Sequence, residues 1–150
     1  MKVFLDMCCY NRPYDPQEQV RIQLETVAKL HLQEAIREQK LELVSSYTLD
    51  YEISNVPDND RRETINRYIR EYSNEYLGIE NSVQVEKLTK ELMGTGLKEQ
   101  DAGHVASAIL SKCDYFITTD IRLLKHQYPE IKLINPVDFV LFYFGKEGET

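Results

Sequence analysis

Four acidic side chains lie beside or within predicted strands and helices, which alternate along the sequence. Asp6 directly follows the apolar run 3–5, and Asp120 lies two residues beyond the apolar segment 115–118. Asp101 opens an alanine-rich helical segment, and Glu52 lies in a short helical segment after a second apolar run. Because ligands bind beyond the carboxyl ends of parallel strands, we expect these carboxylates to converge at one edge of a sheet.

Converging carboxylates repel one another unless a cation neutralises them. Carboxylate ligands suit Mg²⁺ or Mn²⁺, and such an ion can activate a water molecule and neutralise a phosphate. Taken singly, Asp101 and Asp120 could be helix caps and Glu52 a solvated helix residue. Asp6 differs, because a charge at the end of a buried strand is costly without a partner. The joint pattern predicts a metal site formed by Asp6, Asp101, Asp120 and Glu52.

The elements that must position these acids follow from hydrophobic periodicity. Strands are predicted at 2–6, 41–45, 115–118 and 132–134. Helices are predicted at 17–39, 47–55, 82–93, 98–111 and 119–126, with two more beginning after Asp58 and at Pro136. Alternating strands and helices favour a three-layer α/β/α domain with a four- or five-stranded, mainly parallel sheet. Tyrosines at helical spacing after Asp58 are expected in core or dimer packing, with base stacking as the alternative: Tyr68, Tyr72 and Tyr76.

Composition limits the class of protein. A chain of 150 residues suits one domain, here 1–144 with a polar tail at 145–150. A net charge of −7 argues against a general polyanion binder. The apolar run 139–144 is far shorter than the ~20 residues of a membrane span. Three cysteines and no secretory signal indicate a reducing, cytoplasmic setting.

The motifs VFLD, SSYTLDYEI, DAGHVASAIL, CDYFITTD and INPVDF occur in this order over residues 3–139. In this order and spacing they resemble the PIN-domain ribonucleases, a family that includes the VapC-like toxins of toxin–antitoxin pairs. The resemblance implies metal-dependent, single-strand-selective endonucleolytic cleavage of RNA and an antitoxin partner. A PIN-like module that binds RNA or a protein without cutting is the alternative.

The resemblance also implies roles for individual residues. It assigns Asp6, Glu52, Asp101 and Asp120 to an acidic site with one or two Mg²⁺ or Mn²⁺ ions. It assigns to Thr118 a hydroxyl that orients an acid or a metal-bound water. One departure is that Met7 and Cys8 follow Asp6 where the family often has Ser or Thr, which removes a hydroxyl; another is the insert at 11–16.

Other side chains near these motifs have two interpretations each. Arg12 could hold a substrate phosphate or form a surface salt bridge. His104 could contact RNA or a site acid, or be a hydrogen-bonded structural histidine. Cys8 and Cys9 could be nucleophiles with His104 as base, but no C-x₅-R phosphate loop follows them, so buried thiols are favoured.

Two further expectations concern a rival enzyme class and assembly. A haloacid-dehalogenase-like phosphatase would need a second acid two residues after Asp6, where Cys8 stands. The last predicted helix is apolar on most faces, with Val137, Val140, Leu141 and Phe144 on one side. Such a helix needs cover, which predicts a homodimer.

Overall fold

The computed structural model describes residues 1–147, with side chains described through residue 145. The strands are β1 (Lys2–Leu5), β2 (Glu42–Ser46), β3 (Ser73–Leu77), β4 (Tyr115–Ile117) and β5 (Lys132–Ile134). The α-helices are α1 (Met7–Asn11), α2 (Val20–Arg37), α3 (Tyr47–Ser54), α4 (Asn59–Tyr72), α5 (Ser82–Met93), α6 (Glu99–Leu110), α7 (Ile121–Leu124) and α8 (Pro136–Glu147).

The five strands form one parallel sheet in the order β3-β2-β1-β4-β5. The central strand β1 carries Val3, Phe4 and Leu5, all fully buried, as expected for a parallel strand covered by helices on both faces. Among the helices, α2 packs on α8, and α5 packs on α6. The predicted three-layer α/β/α architecture is therefore confirmed, with five strands.

The strand β3 was not predicted, because its sequence SNEYL has no apolar run. It is an edge strand that pairs only with β2 within the described sheet. Tyr76 lies on β3 and donates a hydrogen bond to Asp50 (2.6 Å), so the predicted helical stripe is wrong at this position. Tyr68 and Tyr72 do lie on α4, with ring centroids 5.0 Å apart. For these two the core-packing prediction holds, since Tyr68 is buried and Tyr72 packs against the core.

The segment after Asp6 is helical where no helix was predicted. Asp6 caps α1, and a short 3₁₀ turn over Arg12–Tyr14 occupies much of the predicted loop 11–16. Helix α2 begins three residues later than predicted, at Val20. Of the apolar residues that repeat at helical spacing in α2, Val20, Leu24 and Val27 are exposed, whereas Ala28, Leu32 and Ile36 are buried.

Helix α8 begins as predicted. The side chain of Asn135 accepts a hydrogen bond from the Val137 backbone N–H (2.8 Å), and Pro136 is the first helical residue. The helix continues to Glu147, and residues 148–150 of the predicted tail lie outside the described residues. No helix in residues 1–147 is long and apolar enough to cross a membrane.

Candidate metal and active site

Asp6 lies at the carboxyl end of β1 and is 6 % exposed. One carboxylate oxygen, Oδ1, accepts a hydrogen bond from the Met7 backbone N–H (2.8 Å) and so caps α1. The other, Oδ2, accepts from the hydroxyl of Thr118 (2.8 Å) and from the thiol of Cys8 (3.4 Å). The thiol therefore contacts Asp6 from the first turn of α1, where a hydroxyl was expected to be missing.

Thr118 joins two of the predicted acids. It follows β4 and is fully buried, and its hydroxyl donates to Asp6 while it accepts from the Asp120 backbone N–H (3.1 Å). Asp120 caps α7, where Oδ1 accepts from the backbone N–H of Arg122 (2.9 Å). The Thr118 hydroxyl thus links the carboxyl ends of the neighbouring strands β1 and β4.

Glu52 lies on α3 and contacts His104 of α6, with Oε1 2.6 Å from Nε2. Ligand atoms of Asp6, Glu52 and His104 lie within 4.8 Å of one another, which is close enough to share one metal ion. The other ring nitrogen of His104, Nδ1, lies 3.2 Å from the Thr48 hydroxyl. His104 is 1 % exposed, and both of its ring nitrogens have hydrogen-bond partners. One of these partners is the predicted metal ligand Glu52.

Asp101 lies in the first turn of α6 and is partly buried. It lines a cavity of about 440 Å³ together with Asp120, and the cations Lys98 and Arg122 line the same cavity. The turn that precedes α6 depends on Gly96, whose φ of +109° is strained for any residue with a side chain. The cavity is thus lined by two carboxylates, of Asp101 and Asp120, and by two cations, Lys98 and Arg122.

The charges of these groups interact. Burial raises the pKa of Asp6 and the charge of Glu52 adds to this, although the charge of His104 and the hydrogen bonds from Thr118 and Cys8 act in the opposite direction. Burial, then the charges of Asp6 and Asp120, raises the pKa of Asp101. Burial lowers the pKa of His104, but the hydrogen bond to Glu52 and the nearby carboxylates outweigh it, so the pKa of His104 is raised. The carboxylates are therefore close enough to destabilise one another when all are charged.

The donor set fits a hard divalent cation. Aspartate and glutamate oxygens are the ligands that Mg²⁺ and Mn²⁺ prefer, and the His104 imidazole holds one of these oxygens, on Glu52. A cation would also relieve the repulsion that raises the pKa of Asp101. The acidic and histidine cluster can therefore hold a metal ion.

The structure places Arg12 in an ion-pair cluster around Glu25 of α2. Glu25 is 1 % exposed and accepts from Arg12 Nε (2.8 Å), Arg21 Nε (3.2 Å) and Asn135 Nδ2 (2.6 Å). Arg12 also pairs with Asp15 (2.8 Å). Two nitrogens of Arg12 therefore already have carboxylate partners. A role for Arg12 in phosphate binding stays a prediction.

Sequence reasoning missed Glu25 and Arg21. The guanidinium of Arg21 donates to the Thr119 carbonyl, between Thr118 and Asp120. Glu25 lies one turn before Ala28 on the buried stripe of α2, so helical spacing counted back from the core could have found it. Arg21 carries no comparable signal, since it is 43 % exposed.

The thiols of Cys8 and Cys9 make the contacts of packed side chains. Cys9 is fully buried and donates to the Ile117 carbonyl (3.4 Å), and burial raises the pKa of its thiol well above the usual value. Cys8 contacts Asp6 and Thr118 (3.4 Å each). The three cysteines are free. The favoured interpretation of packed thiols agrees with this geometry.

No family model and no curated relative matches the chain. Solved structures do match. A chain of VapBC2 from Rickettsia felis, bound to a DNA fragment from its promoter, is 16 % identical with a TM-score of 0.56, over 90 % of this chain and 98 % of that one. A chain of FitAcB from Neisseria gonorrhoeae is 16 % identical with a TM-score of 0.51, over 89 % of this chain and 97 % of that one. A chain of FitAB bound to an IR36 DNA fragment is 15 % identical with a TM-score of 0.54, over 90 % of this chain and 95 % of that one. These likenesses show a VapC-like PIN fold.

Proposed function

We propose that this PIN-fold chain is a divalent-metal-dependent endoribonuclease that cleaves phosphodiester bonds in RNA. The observation that carries the proposal is the buried Asp6 at the end of the central strand, with Glu52 within reach of the same ion. A buried carboxylate beside other carboxylates costs stability, and a divalent cation removes that cost. Asp101 and Asp120 complete the set from the rim of the adjoining cavity.

In this proposal Asp6, Glu52, Asp101 and Asp120 hold one or two Mg²⁺ or Mn²⁺ ions. The metal, when bound, supplies Lewis-acid activation of water and neutralises the phosphate. The other side chains position these ligands. Thr118 fixes one oxygen of Asp6 through a 2.8 Å hydrogen bond, and His104 fixes one oxygen of Glu52 at 2.6 Å.

Local charge allows an acidic protein to bind an RNA strand at this site. The chain has a net charge of −7, yet Lys98 and Arg122 line the cavity that contains Asp101 and Asp120. Cations beside the acids attract the phosphate of an incoming strand, while the acids retain the metal. Arg21 has a side chain that is 43 % exposed, and its guanidinium donates to the Thr119 carbonyl and pairs with Glu25.

We further propose that the chain is the toxin of a toxin–antitoxin pair and that it forms a homodimer. The VapBC2 and FitAB structures of the same fold are complexes bound to DNA, which supports an antitoxin partner for this chain. Exposed apolar side chains on α2 and α8 support assembly, among them Leu24 (53 %), Val27 (53 %) and Leu141 (68 %). Light scattering should give twice 17.6 kDa at micromolar concentration, and a monomer throughout would exclude the dimer.

The nuclease proposal is tested with purified protein, single-stranded RNA, and Mn²⁺, Mg²⁺ or EDTA. Wild type should cut only with metal, while Asp6→Asn and Asp101→Asn should lose cleavage and keep their circular dichroism spectra. Asp114→Asn is the matched control, because Asp114 precedes β4 at the opposite edge of the sheet and accepts from the Lys2 backbone N–H (2.8 Å). It should cut like wild type.

Two outcomes would contradict the proposal. Cleavage by folded Asp101→Asn at the wild-type rate would remove Asp101 from the site. RNA binding with no cleavage and no calorimetric response to Mn²⁺ would favour the non-catalytic binding module instead.

A further inference from the structure

The ion-pair cluster around Glu25 contacts the loop that follows β4. Glu25 is 1 % exposed, and its Oε2 accepts a hydrogen bond from Arg21 Nε (3.2 Å), one turn earlier on α2. A second nitrogen of the same guanidinium, Nη2, donates to the Thr119 carbonyl. Arg21 therefore connects a buried carboxylate to the backbone between Thr118 and Asp120, two residues of the proposed active site.

The backbone of this loop is held by side chains from other elements. Thr119 is 3 % exposed, its N–H donates to the sulfur of Cys8 on α1 (3.3 Å), and its carbonyl accepts from Arg21 on α2. A buried carbonyl that loses its donor is destabilising, and the peptide would then turn to find another partner or water. The orientation of this peptide therefore depends on the guanidinium.

Asp120 is the predicted metal ligand whose orientation follows from this loop. Its backbone N–H donates to Thr118 Oγ1 (3.1 Å), and its Oδ1 accepts from the backbone N–H groups of Arg122 (2.9 Å) and Leu123 (3.4 Å). The carboxylate is thus fastened to the backbone of the loop and of α7. A rotation of the peptide between Thr119 and Asp120 would move this carboxylate relative to the other acids.

Two further donors fix the buried carboxylate on which Arg21 depends. Arg12 Nε donates to Glu25 Oε1 (2.8 Å), and Asn135 Nδ2 donates to Oε2 (2.6 Å). Arg12 lies in the insert at 11–16, and Asn135 directly follows β5. Both donors remain when Arg21 is replaced, so the charge of Glu25 keeps partners and we expect such a variant to fold.

We propose that Arg21 is a positioning residue, which fixes the Thr119 carbonyl and thereby presents Asp120 to the metal ion. Glu25 holds the guanidinium in place for this role. The inference rests on the proposed function, in which Asp120 is a metal ligand. A planar guanidinium suits the role because it donates in two directions at once, from Nε to the carboxylate and from Nη2 to the carbonyl.

The test compares purified full-length wild type with Arg21→Met, which keeps much of the aliphatic length and removes every donor. Calorimetry measures Mn²⁺ binding, and amide hydrogen exchange is recorded in EDTA. Arg21→Met should bind Mn²⁺ roughly 10–100-fold more weakly, as is typical when a group that orients a metal ligand is removed. Without metal, amides 118–124 should exchange faster than in wild type, while those of β1 should not change.

The sign of the change in affinity separates positioning from simple charge. Arg21 carries a positive charge beside a site for a cation, so its removal would by charge alone strengthen Mn²⁺ binding. Weaker binding therefore indicates that the hydrogen bond to the Thr119 carbonyl is what matters. Arg21→Lys keeps the charge and can still donate to one of the two acceptors, so it should recover part of the loss.

Arg37→Met is the matched control. Arg37 lies on the same helix, its side chain is 46 % exposed against 43 % for Arg21, and it pairs with Glu34 (2.8 Å). It should match wild type in Mn²⁺ affinity and in the exchange of amides 118–124.

A double-mutant cycle tests the route through Asp120. In the Asp120→Asn background, Arg21→Met should weaken Mn²⁺ binding little further, because the carboxylate that it positions is already gone. An equally large loss in both backgrounds would show that Arg21 acts by another route and would overturn the proposal.

Two other results would also overturn it. In the first, Arg21→Met has the Mn²⁺ affinity and the loop exchange of wild type. In the second, Mn²⁺ affinity is unchanged and only the KM for RNA rises, which would make Arg21 a phosphate contact. In both cases wild type binds Mn²⁺, so the proposed function stands; a wild type that binds no Mn²⁺ would refute that function and this inference with it.

Discussion

Replacing Thr118 by valine should destabilise the apo protein by removing one buried hydroxyl while nearly keeping the side-chain shape. That hydroxyl donates to Asp6 Oδ2 (2.8 Å) and accepts from the Asp120 backbone N–H (3.1 Å), and Thr118 is fully buried. Hydrogen bonds to charged groups contribute about 1.5–3 kcal/mol. For a chain of this length the midpoint should therefore fall by roughly 3–12 °C at pH 7 without metal.

The loss should depend on pH in a defined direction. The Thr118 hydrogen bond favours the charged form of Asp6 and so lowers its pKa, against the larger effect of burial, which raises it. In Thr118→Val the folded-state pKa of Asp6 rises further, so the folded variant takes up its proton at a higher pH than folded wild type. The difference in stability is largest above that raised pKa and shrinks as pH falls through it.

The assay is thermal melting of wild type, Thr118→Val and Thr118→Ser in EDTA between pH 4.5 and 8. Thr118→Ser keeps the hydroxyl and loses only a methyl group, so its midpoint should be much closer to wild type. A Thr118→Val midpoint within a degree of wild type at pH 7 would refute the reasoning. So would a serine variant that is destabilised as much as the valine variant.

Other consequences can be measured by the same melts. Asp101→Asn in EDTA at pH 7 should melt above wild type, because it removes repulsion, yet gain less from Mn²⁺. Wild type without metal should become more stable as pH falls through the raised pKa values of Asp6, Asp101 and His104, since each binds a proton more readily when folded; a flat profile would contradict this. Glu25→Ala leaves two arginines without their buried partner, which costs about 3–5 kcal/mol and should lower the midpoint by roughly 6–20 °C. Gly96→Ala should cost about 1–3 kcal/mol in chemical denaturation, because φ is +109° there.

The sequence allowed the fold to be predicted because its central strands are continuous apolar runs. β1, β2 and β4 have buried, branched or aromatic residues, and the acids that follow them stand out against that background. The edge strand β3 has no such run, since it is exposed on much of its surface and its pairing with β2 decides its conformation. Pattern reasoning therefore failed where tertiary pairing determines the structure.

Helix α2 shows that apolar periodicity can indicate a helix and yet identify only part of its buried face. Val20, Leu24 and Val27 repeat at helical spacing but are exposed, whereas Glu25 at the same end of the helix is buried. A glutamate on a buried stripe is stable only with partners, and its partners come from the 3₁₀ turn after α1, from α2 itself and from the residue before α8. Helical spacing places Glu25 on the buried stripe, but the fold brings its partners together, so local spacing does not predict them.

The hydrogen bonds of the acids divide the candidate site into a fixed inner side and an open outer side. Both oxygens of Asp6 are held, by the Met7 backbone, Thr118 and Cys8, and Glu52 is held through His104. Asp101, in contrast, borders an open cavity beside Lys98. Ligands that hold a metal must be preorganised, whereas groups that meet a substrate need room. If the chain is the proposed nuclease, we expect the phosphate to enter from the cavity side, where Lys98 and Arg122 lie beside Asp101 and Asp120.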